Sequence, residues 1–131
     1  MIICGFAGIG KSYVARHKAK WVDLESTPFN KDWETYVRVA KHMYDSGYHV
    51  MLSCHKELRE ELHESGIYFT VVIPDKADKA EYLRRYKERG NDEKFIKLFE
   101  DNFEKFIDEI VDEETEVDVL ESKEYLSNRI L

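Results

Sequence analysis

Short apolar segments alternate along the chain with longer segments in which apolar residues recur every three or four positions. The short segments predict five β-strands, at residues 2–4, 20–24, 48–54, 67–73 and 117–120. The longer segments predict helices at residues 11–18, 55–65, 76–88, 92–112 and 121–131, together with a helix that Asn30 or Asp32 caps and that ends at Ser46 and Gly47. Because the strands are almost continuously apolar and alternate with helices, we expect a parallel sheet covered on both faces.

Composition and charge narrow the class of protein. The 131 residues are 43% hydrophobic and 36% charged, which predicts one folded domain spanning residues 1–131. No apolar run approaches the roughly 18 residues of a membrane-spanning helix, and the apolar start lacks the basic flank of a signal peptide, so we expect a cytoplasmic protein without a membrane partner. A net charge of −7 argues against a general nucleic-acid binder. One local basic cluster suggests instead a small anionic ligand; it consists of Arg84, Arg85, Lys87, Arg89, Lys94 and Lys97.

The first predicted strand runs directly into a glycine-rich loop, GFAGIGKS at residues 5–12. This segment matches G-x-x-x-x-G-K-[ST] at every fixed position, between a strand and a helix, as a phosphate loop requires. The glycines let backbone N–H groups turn inward around phosphate oxygens, and the helix that follows adds the positive end of its dipole. Lys11 carries positive charge to the β- and γ-phosphates, and the Ser12 hydroxyl is placed to bind Mg²⁺. The predicted nucleotide-binding residues are Gly5, Phe6, Ala7, Gly8, Ile9, Gly10, Lys11, Ser12 and Tyr13.

Two carboxylates follow the second predicted strand. Asp23 and Glu25 are two residues apart, so in an extended segment their side chains point the same way. Asp23 could accept a proton from an attacking hydroxyl or hold a magnesium-bound water, and Glu25 is a candidate for contact with a substrate. The alternative is a polar strand exit that caps the next helix.

Three arginines lie in YLRRYKERG, residues 82–90. Arg85 and Arg89 are four residues apart and share a helix face beside Gly90, where their guanidinium groups could stabilise a transferring phosphoryl group. Arg84 lies roughly 100° away around the helix and is a candidate substrate contact. The alternative for all three is a solvated basic face. The third strand has no Walker-B aspartate at its end, and NKxD is absent, which weakens the ATPase-motor and GTPase interpretations.

GFAGIGKS, the carboxylates of VDLES at residues 22–26 and YLRRYKERG together resemble the small P-loop kinases of the nucleoside, nucleoside-monophosphate, shikimate and gluconate kinase group. The resemblance implies a three-layer α/β/α fold, a five-stranded, mostly parallel sheet in the order 2-3-1-4-5, and ATP with Mg²⁺ as phosphoryl donor. It implies that Gly10, Lys11 and Ser12 bind phosphate and magnesium, and that Asp23 holds or activates the acceptor. It also implies that Arg85 and Arg89 close over the phosphates as a lid-like segment at about residues 76–92.

The chain is short for this group, so residues 25–46 would have to hold the acceptor. Candidate contacts there are Phe29, Trp33, Tyr36 and Arg38, although such aromatic residues are also ordinary core residues. No motif fixes the adenine end of the nucleotide, which we expect near residues 122–129.

We therefore expect a small ATP-dependent kinase acting on a nucleoside or nucleotide, its catalytic residues being Lys11, Asp23, Arg85 and Arg89. One alternative is a regulatory P-loop protein that binds ATP without transferring its phosphate, with its acidic residues 100–116 facing a partner. Another is a polynucleotide 5′-hydroxyl kinase, which the net negative charge disfavours. The acceptor and the oligomeric state stay open.

Overall fold

The computed structural model describes residues 1–113 and 116–130 and confirms the predicted fold class. Five parallel strands form one sheet in the order β2-β3-β1-β4-β5. Cys4 near the end of β1 lies opposite Leu52 of β3 and Val71 of β4, so these strands reach the same edge of the sheet. The strands are β1 Ile2–Gly5, β2 Trp21–Asp23, β3 His49–Leu52, β4 Thr70–Pro74 and β5 Glu116–Leu120.

Helices cover both faces of the sheet. Right-handed crossovers assign α1 to one face and α2, α3 and α5 to the other. α6 follows the last strand and lies on the face of α1, because it packs on that helix, while α2 packs on α3. Among the described residues, no helix is both long and apolar enough to cross a membrane. The helices are α1 Lys11–His17, α2 Trp33–Asp45, α3 Lys56–Glu64, α4 Lys79–Glu88, α5 Glu93–Asp112 and α6 Leu126–Ile130.

The core explains why the central strands are apolar along their whole length. Cys4, Val50 and Val71, on the three central strands, are completely buried because helices pack on both sides of them. Phe103, Ile107 and Ile110 of α5 are buried as well, as expected from the apolar stripe of that helix. An aromatic cluster extends this core to the segment after β1, and its members are Phe6, Tyr82, Tyr86, Phe99 and Phe103.

Strands β2, β3 and β4 are shorter than predicted, and in β3 and β4 the backbone groups at one end make hydrogen bonds outside the sheet. The Ile67 N–H donates to the Leu62 carbonyl at the end of α3, and pairing in β4 begins at Thr70. β3 ends at Leu52, and the next N–H, that of Ser53, donates to the Tyr36 hydroxyl. An apolar sequence indicates that residues are buried, but it does not show whether they pair in a sheet. Residues 67–69 are therefore apolar without belonging to β4.

Helix ends also differ from the prediction. Asp32, and not Asn30, caps α2: its carboxylate accepts from the Thr35 N–H at 3.2 Å, while Asn30 has a left-handed backbone with φ of 47°. The helix predicted at residues 76–88 starts as a 3-10 turn, Lys76–Asp78, before α4. The helix predicted at 121–131 is restricted to α6, because a turn with φ of 60° at Lys123 precedes it. Its predicted last residue, Leu131, lies outside the described residues.

Candidate functional site

The glycine loop, residues 6–10, connects β1 to α1 and has every carbonyl group engaged. The Phe6 carbonyl accepts from the Ile9 N–H, and the Gly10 carbonyl from the Val14 N–H. The Ala7 carbonyl accepts from the Tyr86 hydroxyl at 2.7 Å, the Gly8 carbonyl from Arg85 Nη1 at 3.0 Å, and the Ile9 carbonyl from the Leu126 N–H at 2.9 Å. Contacts from α4 and α6 therefore fix the orientation of the loop peptides.

Three N–H groups of the loop and three of the first turn of α1 have no partner within the described part of the chain, whereas those of Phe6 and Ile9 are paired. The unpaired groups belong to Ala7, Gly8, Gly10, Lys11, Ser12 and Tyr13. Unpaired backbone N–H groups need an acceptor, and several successive N–H groups form a concave site for an anion. Because the loop carbonyls already accept hydrogen bonds from the protein, the groups that this segment offers to a ligand are N–H donors.

Gly8 and Gly10 are required by the conformation of the loop. Their φ angles are 93° and 96°, a region that residues with a side chain rarely adopt. A Cβ atom on Gly8 would lie 2.9 Å from the Tyr86 ring, and one on Gly10 would lie 3.1 Å from the Tyr125 ring. Close packing of α4 and residue 125 against the loop thus depends on the absence of side chains there.

Lys11 lies among charged groups that the sequence places far apart. Its ammonium group donates to the Gly5 carbonyl at 3.1 Å. Burial lowers the pKa of Lys11, the carboxylates of Asp23 and Glu25 act to raise it, and the charge of Arg89 acts to lower it. The structure therefore brings together the predicted phosphate-binding lysine, both predicted carboxylates and one predicted arginine.

Asp23 is half-buried at the end of β2, whereas Glu25 is exposed. Burial raises the pKa of Asp23, and the nearby Lys11 ammonium opposes that shift. Among the described residues, no three His, Cys, Asp or Glu side chains gather as a metal site. The Ser12 hydroxyl and the Asp23 carboxylate fit Mg²⁺, which commonly binds through one or two protein oxygens, waters and substrate phosphates.

Arg85 is buried, with 5% of its surface exposed, and all of its guanidinium nitrogens are engaged. Nε pairs with Glu81 at 2.8 Å, Nη1 bonds the Gly8 carbonyl, and Nη2 donates to the Lys123 carbonyl at 3.0 Å. The group also lies over the Tyr125 ring at 3.7 Å. Arg85 thus supports the carbonyl side of the loop, a position that differs from the lid position implied by the resemblance.

Arg89 and Arg84 take different positions on α4. Arg89 is exposed, lies over the Tyr86 ring and influences the charge on Lys11, and it pairs with no carboxylate in the described residues. Arg84 is exposed and pairs with Glu81 at 2.8 Å and Glu88 at 2.7 Å, which is a solvated surface network. The Nε of Arg89 donates to the Asn91 side chain at 2.5 Å, so of the three arginines Arg89 has a neutral partner where Arg84 and Arg85 have carboxylates.

Four rings pack together in a row that reaches the segment between the two carboxylates. The Trp33 ring lies 5.0 Å from the His55 ring and 5.8 Å from the buried Tyr36, which in turn lies 5.0 Å from Phe29. The Tyr36 hydroxyl donates to the Leu24 carbonyl, between Asp23 and Glu25 in the chain. The fourth candidate in this segment, Arg38, pairs with Glu34 at 3.2 Å on the exposed side of α2 and is not brought to these groups.

Two residues near the site were missed by the sequence interpretation. The buried Arg59 of α3 donates to the Cys54 carbonyl at 2.5 Å and pairs with Glu113 at 2.7 Å, which fixes the segment after β3. Its sequence position, between Leu58 and Leu62 on an otherwise apolar helix face, could have indicated that Arg59 is buried. Tyr125 packs on Gly10 within the segment predicted to lie near adenine, and nothing in its local sequence marks it.

Comparison with protein-family models and with curated proteins found no match for this chain.

Proposed function

We propose that the protein is an ATP-dependent phosphotransferase that moves the γ-phosphoryl group of ATP to a small acceptor, a nucleoside or nucleotide. The observation that carries the proposal is the pairing pattern of the glycine loop and the start of α1: the loop carbonyls are engaged, and the N–H groups at residues 7, 8 and 10–13 have no partner among residues 1–113 and 116–130. Such a segment binds the oxygens of a polyphosphate. In this proposal the protein acts in the cytoplasm.

In this proposal each residue has a separate role in phosphoryl transfer. The loop N–H groups and Lys11 hold the β- and γ-phosphates; Ser12 would hold Mg²⁺ directly and Asp23 through a bound water, and the ion would supply charge neutralisation. Arg89, without a carboxylate partner, adds a second positive charge near Lys11. Arg85 keeps the loop peptides oriented through the Gly8 carbonyl, so it acts as a positioning residue.

Proton transfer is assigned to Asp23. Burial raises the pKa of this carboxyl group, which makes it a better proton acceptor than an exposed aspartate. Its position near the Lys11 ammonium puts it beside the phosphate that Lys11 would hold. Asp23 can therefore take the proton of an attacking hydroxyl, or orient a magnesium-bound water.

The proposal is tested by Lys11→Ala, with Lys56→Ala on the exposed start of α3 as the control. We expect Lys11→Ala to weaken binding of Mg·ATP by at least about tenfold, a loss of about 1.4 kcal/mol, because the ammonium charge is removed from the phosphates. Isothermal titration calorimetry measures the affinity, and circular dichroism checks that each variant is folded.

Equal ATP affinity in folded Lys11→Ala and wild-type protein would contradict the assignment of the loop. A second measurement follows radiolabelled γ-phosphate from ATP to a panel of nucleosides and nucleotides. Tight ATP binding without transfer to any acceptor would contradict the kinase proposal and favour a regulatory ATP-binding protein.

A further inference from the structure

Leu24 lies between Asp23 and Glu25, and both of its backbone groups are hydrogen-bonded. The Leu24 N–H donates to the Met51 carbonyl of β3 at 2.9 Å. The Leu24 carbonyl accepts from the Tyr36 hydroxyl of α2. The peptide groups that connect Leu24 to its two neighbours are therefore held in one orientation. We call residues 23–25 the carboxylate segment.

The same hydroxyl group binds the backbone that follows β3. Its oxygen accepts from the Ser53 N–H at 3.3 Å, while its proton is donated to the Leu24 carbonyl. Pairing of β2 with β3 ends at Asp23 and Met51, so the hydroxyl continues the connection between the two segments beyond the last paired residues. Tyr36 thus connects the carboxylate segment to the end of β3.

The end of β3 is itself fixed relative to the glycine loop. β3 pairs with β1 up to Leu52 and Cys4, and the loop begins directly after β1. On the other side of Ser53, the Cys54 carbonyl accepts from Arg59 at 2.5 Å. A contact with the end of β3 therefore sets the position of the carboxylate segment relative to the glycine loop.

The Tyr36 side chain is completely buried, so any role in a reaction has to pass through the groups that it bonds. The centroid of its ring lies 5.0 Å from that of Phe29 and 5.8 Å from that of Trp33. Burial raises the pKa of the Tyr36 hydroxyl to about 12, so the group keeps its proton at neutral pH and stays a donor. Because a buried hydroxyl is costly without hydrogen bonds, it is held between Leu24 and Ser53.

We propose that Tyr36 is a positioning residue for phosphoryl transfer: its buried hydroxyl holds the carboxylate segment in place relative to the glycine loop. The inference rests on the proposed phosphotransferase function. A group that takes a proton from an attacking hydroxyl has to lie within about 0.5 Å of its productive position, and a misplacement of about 1 Å costs roughly 100-fold in rate. Without the Tyr36 hydroxyl, the Leu24 carbonyl and the Ser53 N–H lose this partner, and the Asp23 carboxylate is free to shift.

The test is Tyr36→Phe, which removes the hydroxyl oxygen and keeps the ring. Transfer of radiolabelled γ-phosphate from ATP to adenosine, cytidine, guanosine, thymidine and their 5′-monophosphates gives kcat. Calorimetry gives the affinity for a non-hydrolysable ATP analogue with Mg²⁺, and circular dichroism checks folding. We expect kcat to fall by at least about tenfold and the analogue affinity to stay within about twofold, because the contacts that orient the loop come from α4 and α6.

Tyr44→Phe is the matched control, since Tyr44 is an exposed tyrosine further along the same helix. It should leave both kcat and the analogue affinity unchanged. An unchanged kcat in folded Tyr36→Phe would overturn the inference, and so would an equal fall of kcat in the two variants.

A double variant separates positioning of Asp23 from a general effect on the fold. If the Tyr36 hydroxyl acts through Asp23, the combination of Tyr36→Phe with Asp23→Asn should be no slower than Asp23→Asn alone. If Tyr36 contributes only to folding, its loss should slow transfer by the same factor whether or not the Asp23 carboxylate is present. That second result would overturn the inference.

The wild-type chain supplies a check that needs no variant. Amide hydrogen exchange of the Ser53 N–H should be far slower than that of an unbonded loop amide, because this group donates to Tyr36. Fast exchange of the Ser53 N–H in the wild-type protein would overturn the inference, since the hydrogen bond on which it depends would then be absent.

The failure of this inference differs from the failure of the proposed function. A wild-type chain that does not bind the ATP analogue, or that transfers phosphate to none of the acceptors, would refute the phosphotransferase function. Transfer by the wild-type chain with an unchanged kcat in folded Tyr36→Phe would refute only the role of Tyr36.

Discussion

Lys11 and Gly8 show how single residues prepare the loop for a ligand. The Lys11 ammonium bonds the Gly5 carbonyl at 3.1 Å, so without phosphate the lysine already has an oxygen partner beside the loop. Gly8 has a left-handed backbone and leaves room for the rings of Tyr82 and Tyr86. Lys11 thus contributes a positive charge to the loop, and Gly8 contributes the room that its close packing requires.

Gly8→Ala should reduce both stability and ATP binding. A left-handed backbone costs a residue with a Cβ about 1–2 kcal/mol, and the added methyl, 2.9 Å from the Tyr86 ring, forces a shift of α4 or the loop. Gly47→Ala is the matched control, because φ there is 99° but no atom lies within 4 Å of the added Cβ. Urea unfolding and ATP titration measure the two effects.

We expect Gly8→Ala to lose about 1–3 kcal/mol more than Gly47→Ala, the difference being steric overlap. ATP affinity should fall in Gly8→Ala alone. Equal losses of stability in the two variants would show that the rings above Gly8 do not constrain the loop.

Helix α4 is the element that connects the loop to the rest of the molecule. Tyr86 and Arg85 bond two loop carbonyls, and Glu81 holds the Arg85 guanidinium in position. Asp78, just before the helix, accepts from the Lys123 N–H at 2.8 Å and so fixes the turn before α6. The basic residues of this helix therefore lie in two environments: Arg85 is buried against the glycine loop, and Arg84 is exposed.

Glu81 should make the free energy of unfolding depend on pH in the acid range. Hydrogen bonds from Arg84 and Arg85 lower the pKa of Glu81 to about 2, below its ordinary value of 4.5. A lowered pKa in the folded state means that the stabilisation is complete above pH 4.5 and is lost as the pH falls towards 2. Glu81→Gln should be less stable than wild type by about 2 kcal/mol at pH 7, and this difference should shrink in acid.

The measurement is urea unfolding of both proteins at neutral pH and at several values below 4.5. Glu88→Gln is the control, since its pair with Arg84 is exposed and should contribute less than about 1 kcal/mol. A difference between wild type and Glu81→Gln that stays constant with pH would rule out the ion pair as its source.

The whole molecule is organised around one parallel sheet whose carboxyl edge carries the site. The charges of Asp23 at the end of β2, of Glu25 and of Arg89 just after α4 all act on the pKa of Lys11. The buried pair of Arg59 and Glu113 joins α3 to the end of α5 across the chain. Because these contacts link distant segments to one continuous core, the chain should behave as one cooperative unit.

We expect unfolding in urea to follow a single transition. Tryptophan fluorescence reports on Trp21, on the edge strand β2, and on Trp33, whereas far-ultraviolet circular dichroism reports on all helices. The two curves should share one midpoint and one slope. A separate transition by circular dichroism, with fluorescence unchanged, would contradict the prediction of a single domain over residues 1–131.

The parallel α/β fold and the phosphate-loop pattern could both be predicted from the amino-acid sequence. Both are local: apolar continuity marks buried strands, and the spacing of glycines, Lys11 and Ser12 lies within eight residues. Alternation along an extended segment also predicted the pair of Asp23 and Glu25; β2 ends at Asp23, and both charges act on the pKa of Lys11.

The contacts between distant segments determine which arginine supports the loop and which stays exposed. Arg85 and Arg89 are equivalent in helical spacing, and burial of Arg85 depends on Gly8, Lys123 and Tyr125, all distant in sequence. The same holds for Arg38, whose outward direction follows from how α2 packs on the sheet. Local periodicity gives the direction of a side chain around its own helix, but the partner it meets is set by contacts between segments far apart in the chain.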